Sequence, residues 1–401
     1  MIVLDDLCLN IVDCLHKTAP INELGNYFAV GTPAMRGNSI DYSLARRIDD
    51  ITFDEWTKRL RPRYGDLLLA REAPVGPVVR IPIEENVAPG QRTVLLRPDT
   101  AKVISDYLYY LLIAPEQQER LNQPVGGSTV AHLNVADVRS FRLPDVPSLM
   151  EQRRIAGVLG ALDDKIESNL RTISLSESLV LAHFSSLFNS GPVSAGTALS
   201  DLMDVNPRYS LKRENLAIKV SMQDIPSDSP VINTHAVMPV GAGSRFSNGD
   251  VLFARISPCL ENGKTAIVDF LSSSEVGFGS TEFIVLSPRG EISTTWIYAL
   301  ARDPNFREAC RQAMSGSSGR QRLSADFFSR YTIATPKESD LVAFNEATMP
   351  LLTLMGARRD ENQRLAQLRD ALLPELMSGR MRVDEAGRLV TEALDEEVAD
   401  V

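Results

Sequence analysis

Two arginines are the first residues of this 401-residue chain to suggest chemistry, because each closes the same short phrase. Residues 65–74 read GDLLLAREAP and residues 249–258 read GDVLFARISP. The identities are Gly65/Gly249, Asp66/Asp250, Leu68/Leu252, Ala70/Ala254, Arg71/Arg255 and Pro74/Pro258, all at one constant spacing. A tight Gly-Asp turn leading into a buried strand explains the start of each copy. It does not explain the arginine at the end. A guanidinium there can contact phosphate or a base edge. The alternative is an ion pair with an internal acid such as Glu72 or Glu261.

Other polar groups recur with the arginines. GGSTVAHLN from Gly126 and GSSGRQRLS from Gly316 are Gly-Ser loops whose N–H groups and hydroxyls suit phosphate. The plain reading of either is a linker between helix and strand, which leaves its recurrence in both halves unexplained. The candidate contacts in the first loop are Ser128, Thr129, His132 and Asn134, with Gln91 and Arg92 of GQRTVLLRP close behind the arginine strand. In the second half they are Ser317, Ser318, Arg320, Gln321 and Arg322, with Lys264 of ENGKTA. Arg320-Gln321-Arg322 carries the donor types that read base edges in the major groove.

Catalytic patterns fail on inspection. Gly263-Lys264-Thr265 would end a phosphate-binding loop, but its first glycine position is Pro258. NPRY at 206–209 has Arg208 where an amino-methyltransferase loop needs a second proline, and no Gly-rich cofactor loop precedes it. No nucleophile–base set and no nuclease-like acid cluster appears. Cys8, Cys14, Cys259 and Cys310 fit neither a metal knuckle nor a disulfide framework, so free thiols in a reducing cytoplasm are expected. His16, His132, His183 and His235 are scattered, and no metal site is expected.

The elements that must position these groups are also duplicated. Each arginine phrase is followed by a strand ending in proline, a helical stretch, the Gly-Ser loop and a long heptad segment. Strands are expected at YFAVGT, DLLLA, VGPVVRI and TVLLR in the first half, and at VLFARI, KTAIVDF and EFIVL in the second. One helix is expected from Ile104 to Asn122, kinked or split at Pro115, and one from Thr294 to Met314. In the first spacer Ile155, Leu159, Leu162, Ile166, Asn169, Ile173, Ser176, Val180, His183 and Leu187 are spaced 4,3,4,3, as in a coiled-coil seam. In the second, Thr348, Leu351, Met355, Arg358, Asn362, Leu365, Leu368, Leu372 and Leu376 form the matching stripe. Each helix would be about 50 Å long. Asn169 and Asn362 match in place, either as a buried register-fixing pair or as residues on a wet edge.

The resulting expectation is an α+β chain with a pseudo-two-fold plan, in which two similar recognition domains are joined by two long helices forming an antiparallel coiled coil. Residues 1–147 are the first recognition domain, 148–190 the first spacer helix, 197–336 the second domain, 339–380 the second spacer helix and 383–401 an acidic tail. A formal net charge of −10 argues at first against nucleic acid. More than half of it lies in that tail, where Asp384, Glu385, Glu392, Asp395, Glu396, Glu397 and Asp400 face Arg388 alone. Such a run reads as a disordered, solvated tail. No signal peptide and no membrane span is expected.

Taken together, these residues resemble the specificity subunits of type I restriction–modification enzymes. The resemblance rests on GDLLLAREAPVG, GQRTVLLRP, GSTVAHLN, EQRRIAGVLGALDDKIESN from Glu151, ARISPCLENGKTA, GSTEFIVL, SGSSGRQRLS and LLPELMSGRMRV from Leu372. It implies a non-catalytic subunit in which each domain reads one half of a split double-stranded DNA site while the helices set the gap. It also implies two partner modification subunits that carry S-adenosylmethionine, with restriction subunits joining through them; no cofactor is expected in this chain. Partner subunits that help to clamp the duplex would relieve the charge problem. One departure is that LVAFNEATMP from Leu341 stands where the second spacer would repeat EQRRI. A coiled-coil scaffold with two protein-binding heads is the rival reading, and a stand-alone DNA enzyme a third.

Overall fold

A computed structural model describes residues 1–123, 132–188, 190–212, 215–317 and 319–395. The chain forms two compact units, Met1–Asp164 with Leu365–Val401, and Lys165–Arg364. Contacts therefore divide the chain differently from its sequence segments, because each unit takes part of both long helices, Leu149–Leu187 and Glu338–Met377.

Each unit is built on a four-stranded antiparallel sheet of the same order. In the first unit, Cys8–Asp13, Thr93–Pro98, Leu67–Arg71 and Val75–Arg80 lie side by side. In the second, Asp204–Val205, Phe283–Ser287, Val251–Ala254 and Thr265–Ile267 repeat that arrangement. The middle strands are nearly continuous apolar runs (LLLA, VLLR; VLFA, FIVL), as expected of strands buried on both faces. A second sheet accompanies each, three-stranded in the first unit and four-stranded in the second, and both contain one parallel pair. Tyr27–Val30 runs with Val87–Pro89 in one unit, and Leu216–Val220 with Val276–Gly279 in the other. Ala73–Pro74 and Ser257–Pro258 are both cis.

The Gly-Asp turn is the hinge of each sheet. Gly65 and Gly249 adopt φ of 86° and 88°, a left-handed conformation costly for any residue with a Cβ. The aspartates that follow are buried, and each accepts the backbone N–H three residues earlier, from Arg63 at 3.0 Å or Ser247 at 2.8 Å. What neutralises the buried carboxylate differs. Asp66 takes a two-pronged pair from Arg97, at 2.9 and 2.6 Å. Asp250 instead accepts the hydroxyls of Ser287 and of Tyr209, the latter at 3.0 Å. Burial pushes the Asp250 pKa up and the Tyr209 hydroxyl up to about 12. NPRY thus has a structural use, because Asn206 also exchanges hydrogen bonds with Val285.

Both expected helices are split by their prolines. The first becomes Ser105–Ile113 and Pro115–Leu121, the second Thr294–Arg302 and Pro304–Gln312. The residue before each proline, Ala114 or Asp303, takes an extended ψ because the proline ring excludes the helical one. Asp303 then caps the second piece by accepting from Asn305 and Phe306 N–H.

The long helices run antiparallel within each unit. In the second, Asn169 meets Asn362, Ile173 clusters with Met355, and Phe184 with Phe344. In the first, Asp163 pairs with Arg369 at 2.9 Å. Asn169 is buried, and its amide donates to Glu361 at 2.7 Å and to Asn362 at 2.9 Å. Of the two readings left open by the sequence, Asn169 follows the buried one, while Asn362 is half-buried. The seam departs from its heptads at one end. His183 and Leu187 are exposed and Phe184 is buried instead. A straight helix drifts off a 3.5-residue repeat, and Phe184 also joins Trp296 and Phe344 in an aromatic cluster.

The expected solvated tail needs correction. Val383–Asp395 is a helix with Val383, Ala386 and Val390 buried. Those residues recur at helical spacing, and Val383 and Val390 line one groove with Gly157, Val158 and Ala161 of the first long helix. Asp384 pairs with Arg154. The charge count missed an apolar stripe between the acids.

Replacing Asp66 by Ala should cost about 3 kcal/mol, because it strands the largely buried Arg97 guanidinium and unties the turn. Urea unfolding of the full chain measures this, and a loss under about 1 kcal/mol would show that the turn does not depend on the pair.

Candidate nucleic-acid interface

The two arginine phrases end at the same place in their sheets, and the backbone bonds there match one for one. Arg71 N–H donates to Arg92 O at 2.9 Å, and Arg255 N–H to Glu282 O at 3.0 Å. Leu133 N–H donates to Arg71 O at 3.0 Å, and Leu323 N–H to Arg255 O at 2.8 Å. Glu72 bridges His132 as Ile256 bridges Arg322. Positions 71/255, 72/256, 92/282, 132/322 and 133/323 are therefore equivalent. Each unit has one polar edge where the arginine strand, the following strand's start and the end of the Gly-Ser loop meet.

The arginines themselves face inward. Arg71 is 6 % exposed. Its Nε lies 3.4 Å from Asp13 Oδ1, and Nη1 donates to Leu133 O at 3.3 Å. Nη2 lies 3.3 Å from His16 Nδ1, while His16 Nε2 sits 2.9 Å from Asp13 Oδ2. That geometry fits a neutral His16 with its proton on Nε2. The internal acid is thus Asp13, and neither Glu72 nor Glu261 plays that part; Glu261 accepts from Ser257 Oγ at 2.9 Å. Asp13, Cys14 and His16 bring possible metal ligands within 4.8 Å of one another, but the Arg71 cation already faces the carboxylate and the imidazole. Burial raises the Cys14 thiol pKa and keeps the thiol protonated. Arg255 is half-buried, with its Nε enclosed. Lys264 spends its ammonium on Met222 O at 2.8 Å and Ile225 O at 3.0 Å.

The accessible groups lie around them. Gln91 and Arg92 are exposed at the turn before Thr93–Pro98, with Arg92 at φ 68° and 3.8 Å from Glu72. His132 is exposed, 3.8 Å from Glu72 and 3.4 Å from Arg71 Nη1. Asn134 caps the short helix Val135–Arg139 by accepting from Asp137 N–H, a capping box that accounts for its presence without DNA. Ser317, Arg320, Gln321 and Arg322 are all exposed. Arg320 makes no ion pair among the described residues, whereas Arg322 grips Glu282 with Nε at 2.9 Å and Nη2 at 2.7 Å. The Arg322 hydrogen bonds hold the Glu282 carboxyl below its ordinary pKa. Ser128, Thr129 and Ser318 lie outside the described residues. Sequence reasoning missed Asp13, His16 and Glu282; only the distance in sequence between partners hid them.

An α+β fold made twice, with one polar loop edge per copy, defines the class: a duplicated two-headed protein rather than one built around a single cleft. The comparisons with known proteins show what the chain is similar to. Residues 23–174 match the family model of the type I restriction modification DNA specificity domain. The chain is 24% identical over 384 residues to the type I restriction enzyme MjaIX specificity subunit of Methanocaldococcus jannaschii, spanning 85% of this chain and 83% of that protein. It is 22% identical over 386 residues to the HindI specificity subunit of Haemophilus influenzae, spanning 74% and 82%. A crystal structure of the type I restriction–modification S subunit from M. genitalium superposes with a TM-score of 0.55 at 16% identity, covering 94% of this chain and 95% of that one, so the fold is shared. The chain is similar along most of its length to type I restriction–modification specificity subunits. Among the described residues, no helix is long and apolar enough to cross a membrane.

Substituting Arg71 with Ala should act on stability first, lowering it by about 2–4 kcal/mol through loss of the Asp13, His16 and Leu133 contacts. Urea unfolding and DNA binding on the same preparation separate the roles; full stability with weakened binding would mean that the guanidinium turns outward to DNA.

Proposed function

We propose that this chain is the DNA sequence-recognition subunit of a type I restriction–modification complex and performs no catalysis itself. Each copy of the fold reads one half of a bipartite site in double-stranded DNA. The long helices set the number of base pairs between the half-sites and dock two modification subunits, and restriction subunits join through those. S-adenosylmethionine is bound on the modification subunits. The first half-site is met by Gln91, Arg92, Ser128, Thr129 and His132, with Asn134 capping the helix beside them. The second is met by Ser317, Ser318, Arg320 and Gln321, with Arg322 at the base of their loop. Arg71, Arg255 and Lys264 support these edges from behind.

The observation that carries this reading is the one-for-one match of the two polar edges at 71/255, 92/282 and 132/322. A duplicated fold that keeps the backbone frame of one edge while its side chains diverge suits two readers of different sequences. Phosphate contacts fix such a reader in place and base-edge contacts give it sequence. The similarity to named specificity subunits supports the same conclusion. Because LVAFNEATMP replaces a second EQRRI, the two modification-subunit contacts need not be equal in strength.

Exchanging residues 197–336 for those of a related subunit should change one half of the methylated motif and leave the other half intact, read by methylome sequencing. If both halves change together, the copies are not independent readers; if neither changes, the chain is a scaffold. Adding one heptad to each long helix should widen the gap by about three base pairs, since seven residues add about 10 Å of helix against ~3.4 Å per base pair. An unchanged gap would remove the spacing role from the helices.

A further inference from the structure

We propose that Glu282 and Arg322 form a positioning clamp at the base of the 315–322 loop, and that Arg320 and Gln321 are the side chains this clamp presents to DNA. The inference rests on the reading above and names which residues of that edge read and which one holds. The loop is closed by reciprocal backbone bonds, Ser315 N–H to Arg322 O at 3.1 Å and Arg322 N–H to Ser315 O at 2.9 Å. Just outside that closure, the Arg322 fork lies on the Glu282 carboxylate through Nε and Nη2. Those are donors a guanidinium would otherwise offer to guanine O6 and N7. Arg320 and Gln321 are exposed beyond the closure, and Gln321 O accepts Ser257 N–H at 3.0 Å, which ties the loop to the cis-proline turn.

The other unit supplies the second argument. It also sets a carboxylate beside the basic side chains of this edge, but from a different chain position. Glu72 approaches Arg92 and His132, both at 3.8 Å. At equivalent positions the charged side chains differ. Arg92 stands where Glu282 does, His132 where Arg322 does, and the acid has moved to the position of Ile256. An exposed ion pair adds little to stability, and a carboxylate beside phosphate opposes binding. An acid kept at this edge in both copies, in two different positions, is accounted for if its task is to hold the loop.

The test uses the complex with modification subunits and measures binding to cognate and single-mismatch duplexes, with unfolding curves as the check on folding. Arg322→Lys keeps the charge but not the fork and should lower discrimination by about tenfold. Arg322→Glu should lower it at least as far, and the exchange Glu282→Arg with Arg322→Glu should restore it to within about threefold of the parent. Arg320→Ala should weaken binding without repair by any change at 282. An exchange variant that binds as poorly as Arg322→Glu alone would overturn the clamp and make Arg322 a direct contact, as would parental discrimination in Arg322→Lys. Failure of the parent complex to prefer any duplex would instead strike the DNA-recognition reading itself.

Discussion

Everything on each polar edge depends on one buried carboxylate at the start of the arginine strand. Asp66 and Asp250 follow a glycine in the left-handed conformation, and they fix where the strand begins. With its start fixed, the strand must end at Arg71 or Arg255, and the backbone there receives the ends of the neighbouring strand and the Gly-Ser loop. A one-residue slip would carry every apolar side chain of LLLA or VLFA to the wrong face. The cost of burying the carboxylate is met by Arg97 in one copy and by Ser287 and Tyr209 in the other. The same anchor is thus held by different chemistry in the two copies.

Different chemistry on one frame is what a two-part reader requires. The backbone bonds of the edge are conserved between copies, whereas the side chains on them are not: Arg92 against Glu282, His132 against Arg322, Glu72 against Ile256. The divergence includes the sign of the charge. A cationic chain overall is not needed if each edge places a few exposed donors correctly, which reconciles a net charge of −10 with a DNA-recognition role.

Much of this was legible in the sequence because the duplication made it so. Repeated glycines, aspartates and prolines marked the turns, and heptads marked helices that the structure places at Leu149–Leu187 and Glu338–Met377. What was not legible depended on partners distant along the chain. Arg71 looked like an exposed contact because Asp13 and His16, which enclose it, lie far upstream. Lys264 looked available because its acceptors are backbone carbonyls, which no residue pattern announces. The segment from Val383 looked like a solvated tail because counting acids hid Val383, Ala386 and Val390 between them. Phe184 displaced His183 from the seam because the aromatic cluster of its own unit outweighed the heptad.

The buried Asn169 amide, shared between Glu361 and Asn362, gives the antiparallel helices of its unit one register, because a shift strands that buried amide. Rigid helices and independent edges are the parts from which a bipartite reader is made. The most direct measurement is the methylome of cells with and without this chain, their modification subunit left intact. The account predicts one bipartite motif, two short half-sites with a fixed gap, methylated only when the chain is present. Methylation of the same motif in its absence, or no motif that depends on it, would contradict the account.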